Sequence, residues 1–154
     1  MPLYFAYNTL MGEAAMKALA PRAQRLGPAR LPRHRLIPLG QGLATVRRDP
    51  RRAVEGMLYD IPFGDIPALD RRFVGATKLT QPVITASGAK RALLHLPGES
   101  NALPTAKDRM HLAEAARSAG LAEAYCQEIE TGEPPKRKPG APLFAAPTTS
   151  IKKG

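Results

Sequence analysis

The sequence predicts a single α+β domain, with a mixed, mostly antiparallel twisted sheet or small barrel and flanking helices. Three observations lead to this fold class. The 154 residues are 44% hydrophobic, which suits one globular domain. Six short segments have the composition of strands, and turn residues separate them. Four segments with helical spacing lie among those strands, and this mixed order is typical of α+β folds.

The strand candidates lie in both halves of the chain. The apolar run 3–7 predicts a buried strand, and Pro32 indicates that the candidate strand at 29–39 is bulged or lies at an edge. The segment 49–52 has turn chemistry, so we expect it to join strands at 43–47 and 54–61 as a hairpin. The last two strand candidates are 79–86 and 91–96, around the Ser87-Gly88 turn.

The helix candidates carry their own start and stop signals. The spacing predicts a helix over 13–19, which Pro21 ends, and a two-turn helix capped by Asp65. Thr105 and the acid three residues later resemble a capping box, which begins a helix ending at Gly120. A last short helix is expected over 122–129.

Composition excludes several classes of protein. Cys126 is the single cysteine, so the chain is not a disulfide scaffold. The first ten residues lack a basic and a long apolar region, and no apolar run reaches the roughly 18 to 20 residues that span a bilayer. We expect a soluble, cytoplasmic protein without membrane contact.

The formal net charge of +10 is divided between two parts of the chain. Residues 131–154 hold five basic residues, one acid and five prolines, and we expect an extended or disordered basic tail outside a domain spanning 1–130. The tail could engage an acidic partner. Within the domain, arginine pairs such as Arg47/Arg48 and Arg51/Arg52 are typical of turns and solvated strand faces.

Several segments resemble, in order, the γ-glutamylcyclotransferase-like family. The similarity begins with YFAYNTLM and continues through GPARLPRHRL, LATVRRDP, VEGMLYDIP and DIPALDR. It ends with LPTAKDRMHLAEAARSAGLAEAYCQEI and so spans about residues 3–130.

The resemblance implies an activity and a site. Family members release 5-oxoproline from γ-glutamyl amines or γ-glutamyl amino acids, when the substrate's α-amine attacks its own γ-amide carbonyl. That attack needs a general base and donors for the oxyanion. By resemblance, a Glu shortly after a Leu-Asp pair is the base, the loop formed by Tyr7, Asn8, Thr9 and Leu10 binds the glutamyl end, and Tyr125 closes the pocket. No cofactor is implied.

The sequence departs from the family at the base. The family's Leu-Asp-x-x-Glu-Gly corresponds to Leu69 through Val74, which puts Phe73 where the Glu is expected. A one-residue shift gives no carboxylate, and Asp70 has a structural role by resemblance. Asn8 replaces a loop glycine, and we expect the loop to persist because Asn tolerates positive φ.

Other interpretations of these residues remain open. The segment 7–10 could be a plain turn, and the Tyr125 ring could belong to the core. Carboxylates usually cap helices or lie on solvated faces. The possible substitute bases are Glu55, Asp60, Asp65 and Glu99.

Metal, nucleotide and nucleic-acid sites have little support. His34, His95 and His111 lack metal-ligand spacing, and Cys126 suits a small buried hydrophobe. No phosphate-binding glycine motif is present. Aromatic residues are only 5% of the chain, too few for the stacking platforms of single-strand binders.

Two hypotheses follow. The first is a γ-glutamylcyclotransferase-like protein whose usual base is lost or relocated. The second is a non-catalytic metabolite-binding or accessory protein, with the tail engaging an acidic partner.

Overall fold

The computed structural model describes residues 2–99 and 103–133. They form five strands and four α-helices, which confirms the α+β class. The strands are β1 (Leu3–Ala6), β2 (Gln24–Pro38), β3 (Ala44–Asp60), β4 (Thr77–Thr85) and β5 (Gly88–Leu96). The helices are α1 (Glu13–Leu19), α2 (Ile66–Arg72), α3 (Ala106–Ser118) and α4 (Glu123–Thr131).

The sheet closes into a small barrel with the strand order β1-β3-β2-β4-β5. Strand β5 returns to pair with β1 in parallel, at Tyr4 and Leu93, while the other described pairings are antiparallel. Closure pairs the edges of the sheet, which an open sheet would expose.

Both faces of the central strands are buried. Opposed residues of an antiparallel pair share a face, so Phe5, Leu58, Val54 and Leu31 form one apolar set. The opposite set contains Tyr4, Met57 and Tyr59. The Tyr59 hydroxyl donates to the Met11 carbonyl at 2.9 Å, so this second set faces the loop and helices that cover the barrel.

Gly56 permits the close approach of β1 to β3. A Cβ at this position would lie 2.4 Å from the carbonyl oxygen of Ala6, a distance that no side chain allows. The Val-x-Gly-x-Leu-Tyr segment of β3 therefore needs glycine at its third position.

The expected hairpin over 49–52 is wrong. These residues belong to β3, and the chain turns instead at 39–43, where Gly42 has a φ of +77°. The Asp49 side chain still makes a hydrogen bond typical of a turn, because the Arg51 amide donates to Asp49 Oδ1 at 3.1 Å. This local turn shifts the register of the β2–β3 pairing between the pairs Pro32↔Ala53 and His34↔Arg48. Arg33, on the opposite strand, has a φ of +63°. The predicted bulge near Pro32 is confirmed, and two predicted strands become one.

Local signals located the helices well. Helix α1 has the predicted bounds, and α3 begins with a complete capping box between Thr105 and Asp108. Asp65 occupies the N-cap position of α2, but its carboxylate does not cap the helix. It accepts from the Arg22 amide and guanidinium, each at 3.1 Å, so the predicted capping bond is replaced by an ion pair.

The predicted domain boundary at residue 130 falls next to the end of α4 at Thr131. Residues 134–154, most of the predicted tail, lie outside the described residues.

Candidate functional site

The segment after β1 forms a short 3₁₀ turn rather than a left-handed loop. Asn8 has φ −114° and ψ −155°, which is extended backbone, so the expected positive φ is wrong. Its Oδ1 accepts from the Leu10 amide at 2.9 Å. Asn is therefore favoured here because it caps the turn over Thr9–Met11.

Four consecutive amides of this segment already donate within the protein. The Leu10 and Met11 amides donate to Asn8, and the Gly12 amide donates to the Thr9 carbonyl at 3.4 Å. The Thr9 amide donates to Gly42 at 3.3 Å. An anionic ligand at this turn would have to compete with these bonds.

Position 73 is occupied by a buried aromatic ring. Phe73 ends α2 and is 5% exposed. Its ring lies on the ring of His95, with centroids 5.0 Å apart and planes at 29°. The Arg72 guanidinium lies 5.5 Å from the Phe73 centroid. The place where the family resemblance puts a base therefore has no proton acceptor of its own.

His95 connects position 73 to β1. Its Nδ1 lies 2.8 Å from the Tyr4 hydroxyl, and its Nε2 lies 2.9 Å from Asp70 Oδ1. The Tyr7 hydroxyl donates to the His95 carbonyl at 2.6 Å. Tyr4, Asp70, Phe73 and His95 are called the His95 cluster below.

The hydrogen-bond network assigns the tautomer of His95. A carboxylate only accepts, so Nε2 carries a proton towards Asp70, and Nδ1 accepts from the Tyr4 hydroxyl. The hydrogen bond from His95, with further help from Lys78, holds the pKa of Asp70 below its usual range. Burial, together with Tyr7 and Asp70, raises the pKa of Tyr4. Tyr4 thus remains a donor and Asp70 an acceptor at neutral pH.

The predicted binding residues lie in two places. Tyr7 contacts His95, which joins the segment 7–10 to position 73. Tyr125 lies on α4 and lines a cavity of about 260 Å³, whose described lining contains none of residues 7–10 and not Phe73. The Tyr125 side chain is 4% exposed, and its hydroxyl has no hydrogen-bond partner among the described residues. Burial raises its pKa.

The possible substitute bases lie outside the His95 cluster. Glu55 pairs with Arg30 at 3.7 Å, and burial raises the pKa of Glu55. Asp60 lies at the end of β3, and its Oδ1 is buried without a partner in the described part of the chain. Asp65 and Glu99 pair with Arg22 and Arg47, respectively.

Residues 2–99 and 103–133 contain no cluster of three or more His, Cys, Asp and Glu side chains suited to a metal ion. They also contain no helix long and apolar enough to cross a membrane. Cys126 is buried, and burial raises the pKa of its thiol.

Sequence reasoning missed the pairing of Tyr4 with His95. The two residues are 91 positions apart and meet because β1 and β5 pair in parallel. The only sequence signal was the presence of titratable residues in two predicted strands.

Several solved structures are similar to this protein in fold. Similar solved structures include a gamma-glutamyl cyclotransferase, with a TM-score of 0.74 and 20% identity over 91% of this chain and 92% of that one. An uncharacterized protein from Homo sapiens has a TM-score of 0.74 and 20% identity, over 88% of this chain and 90% of that one. YkqA from Bacillus subtilis has a TM-score of 0.68 and 18% identity, over 86% of this chain and 55% of that one. These matches show a shared fold.

A family sequence model matches the first half of the chain. The model of the family described as "Gamma-glutamyl cyclotransferase, AIG2-like" matches residues 4–75, which include both the loop after β1 and position 73. No curated protein sequence matches the chain. The protein thus has the fold of a gamma-glutamyl cyclotransferase, and its residues 4–75 are similar to the γ-glutamylcyclotransferase-like family.

Proposed function

We propose that this protein binds a small γ-glutamyl or related amino-acid-like ligand and does not catalyse cyclotransfer, because it lacks the general base. The observation that carries the proposal is the Phe73 ring, which is buried against His95 at the position of the expected Glu. The similarity to the family supports the ligand class.

The reaction explains why one missing carboxylate matters. The α-ammonium of the substrate must lose a proton before its nitrogen can attack the γ-carbonyl carbon. The new N–C bond then forms the 5-oxoproline ring, and the bond to the leaving amine breaks as that nitrogen takes up a proton returned by the base. A positioned base contributes roughly 10²- to 10⁴-fold to such a proton transfer. Phe73 cannot supply this contribution.

The neighbouring polar groups do not replace the base. His95 is 3% exposed, and both of its ring nitrogens have partners within the protein. Asp70 is held by His95 and Lys78, and its lowered pKa makes it a weak proton acceptor. The geometry therefore favours binding over turnover.

Three further predictions from the sequence remain proposals. The roles of Tyr7, Asn8, Thr9 and Leu10 in binding are part of this proposal, whereas Tyr125, which the sequence placed in the same pocket, lines the separate cavity of about 260 Å³. The acidic partner of the tail and the cytoplasmic location rest on composition alone.

Binding and turnover are tested on the same sample. Calorimetry with γ-glutamylalanine and γ-glutamylethylamine should give saturable binding, while α-glutamylalanine, which has its amide on the other carboxyl group, should bind more weakly. Chromatography of the same mixtures should show no 5-oxoproline above the buffer control. Lack of binding would refute the ligand class, and 5-oxoproline above the control would refute the loss of catalysis.

A further inference from the structure

An arginine-lined cavity lies apart from the His95 cluster. It is the cavity of about 260 Å³ beside Tyr125, and it is bordered by the paired ends of β2 and β3 and by α3 and α4. We call it the arginine cleft. Its charged lining residues are Arg35, Arg47, Arg52, Arg109, Glu99 and Glu128.

The positive charge of the arginine cleft is only partly compensated. Glu99 pairs with Arg47, and Glu128 accepts from Arg52 Nη2 at 2.5 Å. Four arginines and two glutamates give the lining a net charge of +2. The sequence pattern predicts turns or solvated faces for Arg47 and Arg52, but both line this cavity together with Arg35 and Arg109.

Two of these arginines have no acidic partner in the described part of the chain. Arg35 makes no hydrogen bond or ion pair with the described residues, and it lies half-buried on β2. Arg109 Nη1 donates only weakly, to the Ile129 carbonyl at 3.4 Å. Guanidinium groups are suited to paired hydrogen bonds with carboxylate and phosphate oxygens.

Tyr125 is a second, independent sign of a ligand. Tyr125 lines the cleft, and its buried hydroxyl has no hydrogen-bond partner among the described residues. Buried polar groups in native structures nearly always have a partner, and an unpaired one often marks a place where a missing group belongs. A ligand oxygen at this end of the cleft would accept the hydroxyl proton.

We propose that the arginine cleft binds a small organic dianion, a phosphate monoester or a dicarboxylate. Arg35 and Arg109 hold its negatively charged oxygens, and the Tyr125 hydroxyl donates to it. The charge of −2 matches the net charge of the lining. Leu36, Ile37 and Ile129 line the same cleft and contact a short apolar body. The volume, about 260 Å³, restricts the ligand to a small metabolite.

This inference does not rest on the proposed function. A γ-glutamyl amine carries one carboxylate and one ammonium group, so its net charge is zero and it lacks the predicted dianion, whereas a γ-glutamyl amino acid has a second carboxylate and a net charge of −1. Binding of γ-glutamylethylamine therefore tests the proposed function apart from the arginine cleft, and failure of dianion binding leaves the cyclotransfer assay unaffected.

The first test is calorimetry on the full chain with phenyl phosphate and with glutarate, at a fixed ionic strength of about 0.15 M. We expect one saturable site for at least one of these dianions, and no binding of glutaramide, which has the shape of glutarate without its charge. Absence of saturable binding by both dianions overturns the proposal. Which dianion binds more tightly identifies its source as a phosphate ester or a dicarboxylate.

Charge-matched variants separate a built site from diffuse attraction. Arg35→Gln should weaken binding roughly tenfold or more, because a charge-assisted hydrogen bond is lost. Arg48→Gln removes the same charge from an exposed position on β3 that does not line the cleft, and should change the affinity less than about twofold. Equal losses in the two variants overturn the proposal.

Tyr125→Phe tests the hydroxyl. It should weaken binding several-fold while the unliganded variant keeps its circular dichroism and melting temperature, since the hydroxyl has no partner to lose. Unchanged affinity overturns the role of Tyr125 as a ligand donor.

Discussion

Tyr4→Phe is the sharpest probe of the His95 cluster. The change removes the hydroxyl that lies 2.8 Å from His95 Nδ1 and keeps the ring. His95 is 3% exposed, so no water replaces the lost donor. A buried polar atom left without a partner costs about 1–3 kcal/mol. For a chain of this length, each kcal/mol lowers the melting temperature by roughly 2–4 °C, so we expect a fall of about 2–12 °C.

Tyr125→Phe is the matched control. Tyr4 and Tyr125 are 2% and 4% exposed, respectively, but among the residues the structure describes only the Tyr4 hydroxyl has a hydrogen-bond partner. Urea unfolding of the two variants should show a loss for Tyr4→Phe, and no loss or a small gain for Tyr125→Phe. Equal free energies of unfolding in the two variants, or a loss below about 0.5 kcal/mol for Tyr4→Phe, would refute the hydrogen-bond assignment.

Two further predictions concern the Asp70 carboxylate and the capping box of α3. The pKa of Asp70 lies below the usual 3.8, so its ionised form stabilises the fold above that pH, and this contribution is lost as the pH falls through the folded-state pKa. The difference in unfolding free energy between the wild type and Asp70→Asn should therefore be largest at neutral pH and should shrink as the pH becomes acidic. Urea titrations at several pH values measure this difference. A difference that does not change with pH contradicts the assignment. Thr105→Ala removes the acceptor 3.1 Å from the Asp108 amide in the capping box of α3 and should cost about 1 kcal/mol in the same assay. An unchanged midpoint would argue against the cap.

The helices were predictable because their signals are local. The bounds of α1 and the Thr105 cap of α3 depend on residues within one or two helical turns. The course of β3 was not predictable in this way. The Asp49 side chain forms the expected turn, yet the chain continues along β2, because Arg33 takes a positive φ and accommodates the extra residues.

In the candidate site, too, local sequence signals were informative and long-range contacts were not predictable. Position 73 could be found from a linear pattern with Leu69 and Asp70. The surroundings of Phe73 could not, because His95 reaches it only after the barrel has closed through the parallel pairing of β5 with β1. Arg47 and Arg52 are likewise brought to one cavity by tertiary packing, whereas arginine pairs such as Arg47/Arg48 and Arg51/Arg52 are typical of turns and solvated faces.

The most direct test of the missing base compares Phe73→Glu with Phe73→Gln. The two substitutions remove the same ring and introduce side chains of similar size, but only Glu can accept a proton. Circular dichroism establishes that both variants are folded.

The measurement is the initial rate of 5-oxoproline release from γ-glutamylalanine. The wild type and Phe73→Gln should stay at the buffer rate, and Phe73→Glu should exceed them by roughly 10²- to 10⁴-fold. Release by the wild type that matches or exceeds release by Phe73→Glu would contradict the claim that Phe73 removes the chemistry.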